Sequence, residues 1–172
     1  MRYSLGFLCV CALGVNPLVG CSEGGGSGGL AGTGGTAGTG GAGGSGPSGW
    51  VAQSSGTLNA LRGVSFTDAN TGTVVGDAGT ILRTTDGGGT WAPQTSGTGQ
   101  SFFGVSFTGA NTGTAVGQGG TIVRTTDGGA TWAPQTSGTG SFLFGVSFTD
   151  ANTGTAVGGP GIILRTTDGG GG

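Results

Sequence analysis

The chain has 172 residues, 47 of them glycine, with 33% hydrophobic and 7% charged side chains, no lysine, no histidine and a formal net charge of −2. A mildly acidic chain of this kind has no counterion-release drive toward nucleic acid and no polybasic patch for an anionic membrane surface, so nucleic-acid binding is excluded as a leading function. Only from Trp50 onward do Val, Ile, Phe and Trp recur at regular places between glycines, which limits the chain to one globular domain.

Met1 and Arg2 make a short positive start, and Tyr3 to Val15 is a mostly apolar run, shorter than the roughly 20 residues of a membrane span. Residues 1–20 are therefore read as a signal peptide. Their end, Leu18-Val19-Gly20-Cys21, resembles the bacterial lipoprotein lipobox. That resemblance implies a lipoprotein exported and anchored to the membrane of the bacterial cell envelope through acyl chains such as palmitate on Cys21. Ser22 after the cysteine favours the outer membrane or cell surface by the same resemblance. Each buried methylene contributes about 0.8 kcal/mol, so several chains on one residue hold firmly where one would not. Cys9, Cys11 and Cys21 are the only cysteines, so no disulfide framework holds the domain.

Residues 21–49 complete the anchor as a lipidated cysteine and a tether. From Gly24 to Gly49, 15 of 26 residues are glycine, the rest mostly Ser, Thr and Ala. Such a segment cannot bury enough apolar surface to order itself and is expected to act as a flexible linker.

Residues 50–172 are a threefold repeat. Gly63-Val64-Ser65-Phe66-Thr67 returns as Gly104 to Thr108 and again as Gly145 to Thr149, each time 41 residues on, and Gly76, Gly117 and Gly158 keep the same interval. The frame is 50–90, 91–131 and 132–172. In the middle repeat, strands are predicted over Phe102 to Thr108, Gly113 to Gly117, Thr121 to Thr126 and Thr131 to Thr136, separated by glycine or Asn-Thr-Gly clusters. Four short strands in about 40 to 45 residues, with β-branched and aromatic content and no helical periodicity, predict an all-β fold of about three propeller blades.

The loop before each tryptophan reads Thr84-Thr85-Asp86-Gly87-Gly88-Gly89-Thr90-Trp91 and Thr125-Thr126-Asp127-Gly128-Gly129-Ala130-Thr131-Trp132, with Asp168 opening a third copy. Both resemble the Asp-box, or bacterial neuraminidase (BNR) repeat. An Asp carboxylate there accepts hydrogen bonds from turn amides and the tryptophan packs between sheets, so Asp86, Asp127, Asp168, Trp91 and Trp132 are read as structural. The longer string, Gly-Val-x-Phe, then Gly-x-x-Val-Gly, then Gly-x-Ile-[Leu/Val]-Arg-Thr-Thr-Asp-Gly-Gly, resembles the repeat of the photosystem II stability and assembly factor family within the WD40/YVTN/BNR-like superfamily. That resemblance covers residues 50–172 and implies a non-enzymatic propeller that binds a membrane-protein partner and serves photosynthesis. It also puts Arg83, Arg124 and Arg165 at a partner-binding position, although an arginine once per blade serves equally well to pair with a neighbouring carboxylate.

Trp50 has no Asp-box before it, and the last box, Asp168 to Gly172, has no Thr-Trp after it. Trp50 to about Thr57 is thus an unowned fourth strand suited to completing the last blade. Because closed propellers usually have four to eight blades, the expectation is either truncation, favoured because a bare glycine end has no polar cap, or a homo-oligomer. Residues that differ among repeats gather in two loops: Leu58 to Arg62 against Gln100 to Phe103 and Ser141 to Phe144, and Asp77-Ala78 against Gln118-Gly119 and Gly159-Pro160. Phe102, Phe103, Phe142 and Phe144 are expected in the core at strand starts.

No catalytic residue is assigned. A sialidase needs a Tyr nucleophile paired with Glu, but the only Tyr is Tyr3 and the only Glu is Glu23; without His, Lys or Cys in the repeats, hydroxyl nucleophiles lack a base. A two-carboxylate glycosidase would have to draw on six aspartates that sit mostly at turns. No cofactor is implied and no metal site, since no imidazole, thiol or calcium-loop spacing is present. The leading expectation is a surface-tethered interaction module for an unidentified protein or membrane complex. The alternative is a carbohydrate-binding or sialidase-like glycosidase fragment.

Overall fold

Glycine-rich reversals cut the chain into strands too short for anything but a tight meander. The computed structural model describes residues 49–171. Strands β1 (Leu61–Phe66), β2 (Gly72–Gly76), β3 (Ile81–Thr84) and β4 (Ala92–Gln94) form one antiparallel sheet in sequential order. Strands β5 (Phe102–Phe107), β6 (Gly113–Gly117), β7 (Ile122–Thr125) and β8 (Ala133–Gln135) form the second. The third has β9 (Leu143–Phe148), β10 (Gly154–Gly158) and β11 (Ile162–Thr166). Each sheet is a propeller blade, and the predicted strands of the middle repeat fall on β5 to β8 with ends displaced by at most two residues.

The blades meet along their first strands. β1 lies against β5 and β5 against β9, and glycine permits the approach. A Cβ on Gly104 would stand 3.0 Å from the Gly145 Cα and 3.1 Å from the Phe144 carbonyl oxygen. One amide and one hydroxyl fix the register across each junction: the Phe107 N–H donates to Ser65 Oγ and the Phe148 N–H to Ser106 Oγ, both at 3.1 Å. Outside this seam the blades diverge, and apolar side chains fill the wedge. Val75, Ile81, Phe102, Val105, Ala115, Val123 and Trp132 form the core between the first two blades. Val116, Leu143 and Ala156, with Ile122, Val146, Ile162 and Leu164 against them, form the core between the second and third.

The fourth strand expected for the last blade from Trp50 to Thr57 does not join it. That blade has three strands among the described residues, and residues 50–57 are irregular backbone lying on the first blade instead. The cause is Gln53. Its Nε2 donates to the Gly87 carbonyl at 3.0 Å, the bond that Gln94 makes to Gly128 at 3.1 Å and Gln135 makes to Gly169 at 2.9 Å. Each blade's Asp-box receives a glutamine from the strand before it, and Gln53 supplies the first. Among the described residues no helix is long and apolar enough to cross a membrane.

Gly104→Ala should cost about 1–3 kcal/mol, the usual range for overpacking, because the atoms in the way are backbone. Gly109, with open space around it, is the control: Gly109→Ala should leave the urea midpoint unchanged, and equal losses in the two variants would disprove the tight seam.

Candidate functional site

The residues that vary among the repeats are brought to one surface by a repeated irregularity. In β1, Leu61 pairs with Gly76 and Gly63 with Val75, leaving Arg62 without a partner. The same register shift leaves Phe103 unpaired between Phe102 and Gly104, and Phe144 between Leu143 and Gly145. A bulge of this kind re-aims the extra side chain. The loop after each second strand is then tied to the start of the first: the Asp77, Gln118 and Gly159 N–H groups donate to the carbonyls of Ala60, Ser101 and Phe142 at 2.9, 2.9 and 3.0 Å. Two loops distant in sequence become one edge.

On that edge the Phe103 ring lies 5.9 Å from Phe142 and 5.7 Å from Phe144, centroid to centroid. Arg62 stacks 5.5 Å above Phe103 and grips Asp77 with two hydrogen bonds, Nε to Oδ1 at 2.5 Å and Nη2 to Oδ2 at 2.8 Å. These bonds hold the Asp77 carboxyl below, and the Arg62 guanidinium above, their ordinary values. The expectation that all four phenylalanines are core holds only for Phe102, which is 0% exposed; Phe144 is 54% exposed, Phe142 is exposed and Phe103 half-buried. The bulge inverts the inward-outward count: stepping by twos from buried Val105 would put Phe103 inside, and the extra residue puts Phe102 there.

The Asp-box residues are turn staples. The Thr90 N–H at 2.9 Å, the Thr84 hydroxyl at 2.7 Å and the Thr90 hydroxyl at 2.8 Å all donate to the Asp86 carboxylate and lower its pKa to about 2. Asp127 receives the hydroxyl and N–H of Thr131 and the hydroxyl of Thr125, again reaching about 2. Asp168 is lowered by the Thr166 hydroxyl, and Asp68 and Asp150 by the N–H groups two residues on. Gly129 takes φ +89° in this turn, where a Cβ would run into the Gln94 amide. Trp132 is buried in the inter-blade core, and its Nε1 donates to Gln94 Oε1 at 3.3 Å. Trp91 is half-buried, edge-on to Phe66 with centroids 6.2 Å apart.

Arg83, Arg124 and Arg165 lie on the third strands, away from this edge. Arg83 and Arg124 reach the next blade, donating to the carbonyls of Ala110 at 2.5 Å and Ala151 at 2.6 Å, over the rings of Phe107 and Phe148. The acceptor is a backbone oxygen, not the neighbouring carboxylate named as the alternative to partner binding. Arg165 is exposed. Cys21 lies outside the described residues. Among the described residues, no three His, Cys, Asp or Glu side chains gather where a metal ion could sit. The bulges themselves escaped the sequence; their one trace was the change from Arg to Phe at a single repeat position.

The model of the photosynthesis system II assembly factor YCF48 family matches residues 95–172. Two solved structures of YCF48 are similar. One, bound to a D1 peptide, is 30% identical with a TM-score of 0.61 and covers 67% of this chain and 40% of its own. The other, from Cyanidioschyzon merolae, is 28% identical with a TM-score of 0.60, covering 67% and 39%. An ancestral GH74 enzyme, 22% identical with a TM-score of 0.54 over 69% of this chain and 19% of its own, shares the fold. No curated protein matches the chain. The chain spans about two fifths of the YCF48 structures it matches, and its repeats are photosystem II assembly factor-like BNR propeller repeats.

Carboxylates with folded pKa values below the unfolded value of about 3.9 add stability above that pH and lose it as pH falls toward their folded values. The melting temperature should therefore be flat above pH 5 and drop between about pH 4 and 2, with Asp127→Asn showing a shallower drop; a melt equally steep in the variant would refute the staple. Phe102→Ala should cost about 3–5 kcal/mol in urea unfolding and Phe144→Ala less than about 1.

Proposed function

We propose that this chain is a non-catalytic binding module, held at the bacterial cell envelope by lipid on Cys21, that takes a protein segment on the patch of Phe103, Phe142 and Phe144 beside Arg62 and Asp77. The observation that carries this reading is a three-ring cluster, with Phe142 and Phe144 exposed and Phe103 half-buried beneath a stacked arginine. Apolar patches rimmed by polar groups mark interaction surfaces, and aromatic and arginine anchors dominate interface energetics. The patch suits an extended segment with an apolar side chain for the rings and a charged or amide group for the Arg62–Asp77 pair. A YCF48 structure bound to a D1 peptide supports a peptide as the class of ligand. The glycine-rich tether would carry the domain clear of lipid headgroups, within reach of a membrane-embedded partner. Arg83 and Arg124 are given no part in recognition, because they are engaged between blades.

Hydrolysis is less well supported. A glycosidase needs one carboxyl kept protonated near neutrality, and here all six aspartates of the repeats are shifted the other way. Carbohydrate binding would use the same rings without those carboxylates.

Panning the full chain against a displayed peptide library, with a glycan array in parallel, separates the readings. The expected result is selection of peptides whose affinity falls at least about tenfold in the Phe103→Ala, Phe144→Ala double variant at unchanged melting temperature. Peptides that bind the variant equally well would remove the patch from the site, and glycan binding alone would overturn the protein-binding reading.

A further inference from the structure

The charged side chains of the repeats are divided between the two ends of the strands. In an antiparallel meander the β1–β2 and β3–β4 loops share one end, and the Gly87 N–H joins them by donating to the Asn70 carbonyl at 2.9 Å. The same bond recurs from Gly128 to Asn111 and from Gly169 to Asn152. That end carries Asp68, Asp86, Asp127, Asp150 and Asp168, and Arg83 and Arg124 reach its loop carbonyls. Among the described residues, the bulge end carries only Arg62 and Asp77. First and second strands of six and five residues, at about 3.3 Å per residue, put roughly 17–20 Å between the ends, against a screening length of about 8 Å at physiological ionic strength. Salt therefore hides the acidic end from the aromatic patch.

At the patch itself the two charges are closed on each other. Arg62 grips Asp77 through Nε and Nη2 and lies 5.5 Å over Phe103, so three contacts hold one guanidinium. The residues that correspond to Asp77 in the next two blades are Gln118 and Gly159, and those that correspond to Arg62 are Phe103 and Phe144, so neither blade adds a charge. A ligand carboxylate set against Arg62 would stand beside Asp77, and a ligand ammonium set against Asp77 would stand beside Arg62. In both cases like charges meet unless the pair opens. What the pair leaves over is hydrogen-bonding capacity, in the remaining guanidinium N–H groups and the second lone pairs of the carboxylate. An amide supplies both complements, a carbonyl to accept from Arg62 and an N–H to donate to Asp77.

We propose that the occupant of this patch is an uncharged extended segment whose apolar side chain sits on Phe103, Phe142 and Phe144 and whose asparagine or glutamine, two residues away, meets the Arg62–Asp77 pair; this rests on the peptide-binding reading above. Same-face side chains of an extended chain repeat about every 6.6 Å, close to the 5.5 Å between the Arg62 guanidinium and the Phe103 ring. Association is then unsteered by charge, and selectivity comes from the rings and from amide pairing.

An array of Gly-Ser-flanked peptides that present Leu with Gln, Asn, Glu, Asp, Lys or Arg two positions away, probed with the full chain in detergent, tests this. The Gln and Asn peptides should bind at least about tenfold more tightly than the charged ones, with affinity unchanged between about 0.05 and 0.5 M salt. Asp77→Asn, which frees Arg62, should move the preference to Glu and Asp; Arg62→Gln, which frees Asp77, should move it to Lys and Arg. A wild-type preference for charged peptides, an affinity that falls with salt, or variants that keep the wild-type order would overturn the uncharged segment while leaving peptide binding at the patch in place. If the array binds nothing while panning still selects peptides lost in the Phe103→Ala, Phe144→Ala double variant, the inference falls alone. If neither method yields a patch-dependent peptide, the reading it rests on falls first and takes the inference with it.

Discussion

Everything in this domain depends on how closely two backbones approach along the inner seam. Gly63 and Gly104 let neighbouring first strands come within reach of a single amide-to-serine hydrogen bond. That contact sets the pitch from blade to blade and opens a wedge whose width decides what can fill it. Behind the first seam Val75, Ile81, Phe102, Val105, Val123 and Trp132 are buried together. The Asp-box at the far end of each blade does the complementary task, fixing the turn that carries the tryptophan and offering a carbonyl to the glutamine of the preceding strand. Inner seam and outer turn recur from blade to blade with the same hydrogen bonds, and that recurrence holds a glycine-rich chain in one fold.

Much of this architecture was legible in the sequence because it is written as a repeat. The 41-residue interval, the strand limits in the middle repeat and the roles of Asp86 and Asp127 follow from residue type and spacing, since turn chemistry and β-branched runs act locally. What was not legible depends on pairing across strands. Whether Phe102 or Phe103 enters the core turns on whether Arg62, Phe103 and Phe144 have ladder partners, and only the registers reveal that they have none. The carbonyl acceptors of Arg83 and Arg124 lie 27 residues on, in the next blade. Residues 50–57 keep the glutamine contact of a fourth strand, from Gln53 to Gly87, without pairing to β11.

The same geometry separates scaffold from function. Side chains whose positions the seam and turns demand are the same in every repeat and are spent on one another. Those that differ are gathered on the bulge edge, where Arg62, Phe103 and Phe144 stand beside one another without a structural duty in the ladder.

The bulge therefore acts as a mounting point. A residue excluded from the ladder and aimed at solvent is constrained neither by β-propensity nor by core volume, so its replacement leaves the fold's energetics nearly untouched. A propeller built on this repeat carries one such point per blade, arranged around the axis at fixed spacing. Each added blade supplies another independently variable side chain to one contiguous surface, so the recognition vocabulary of the fold grows with blade number while the scaffold sequence stays constant.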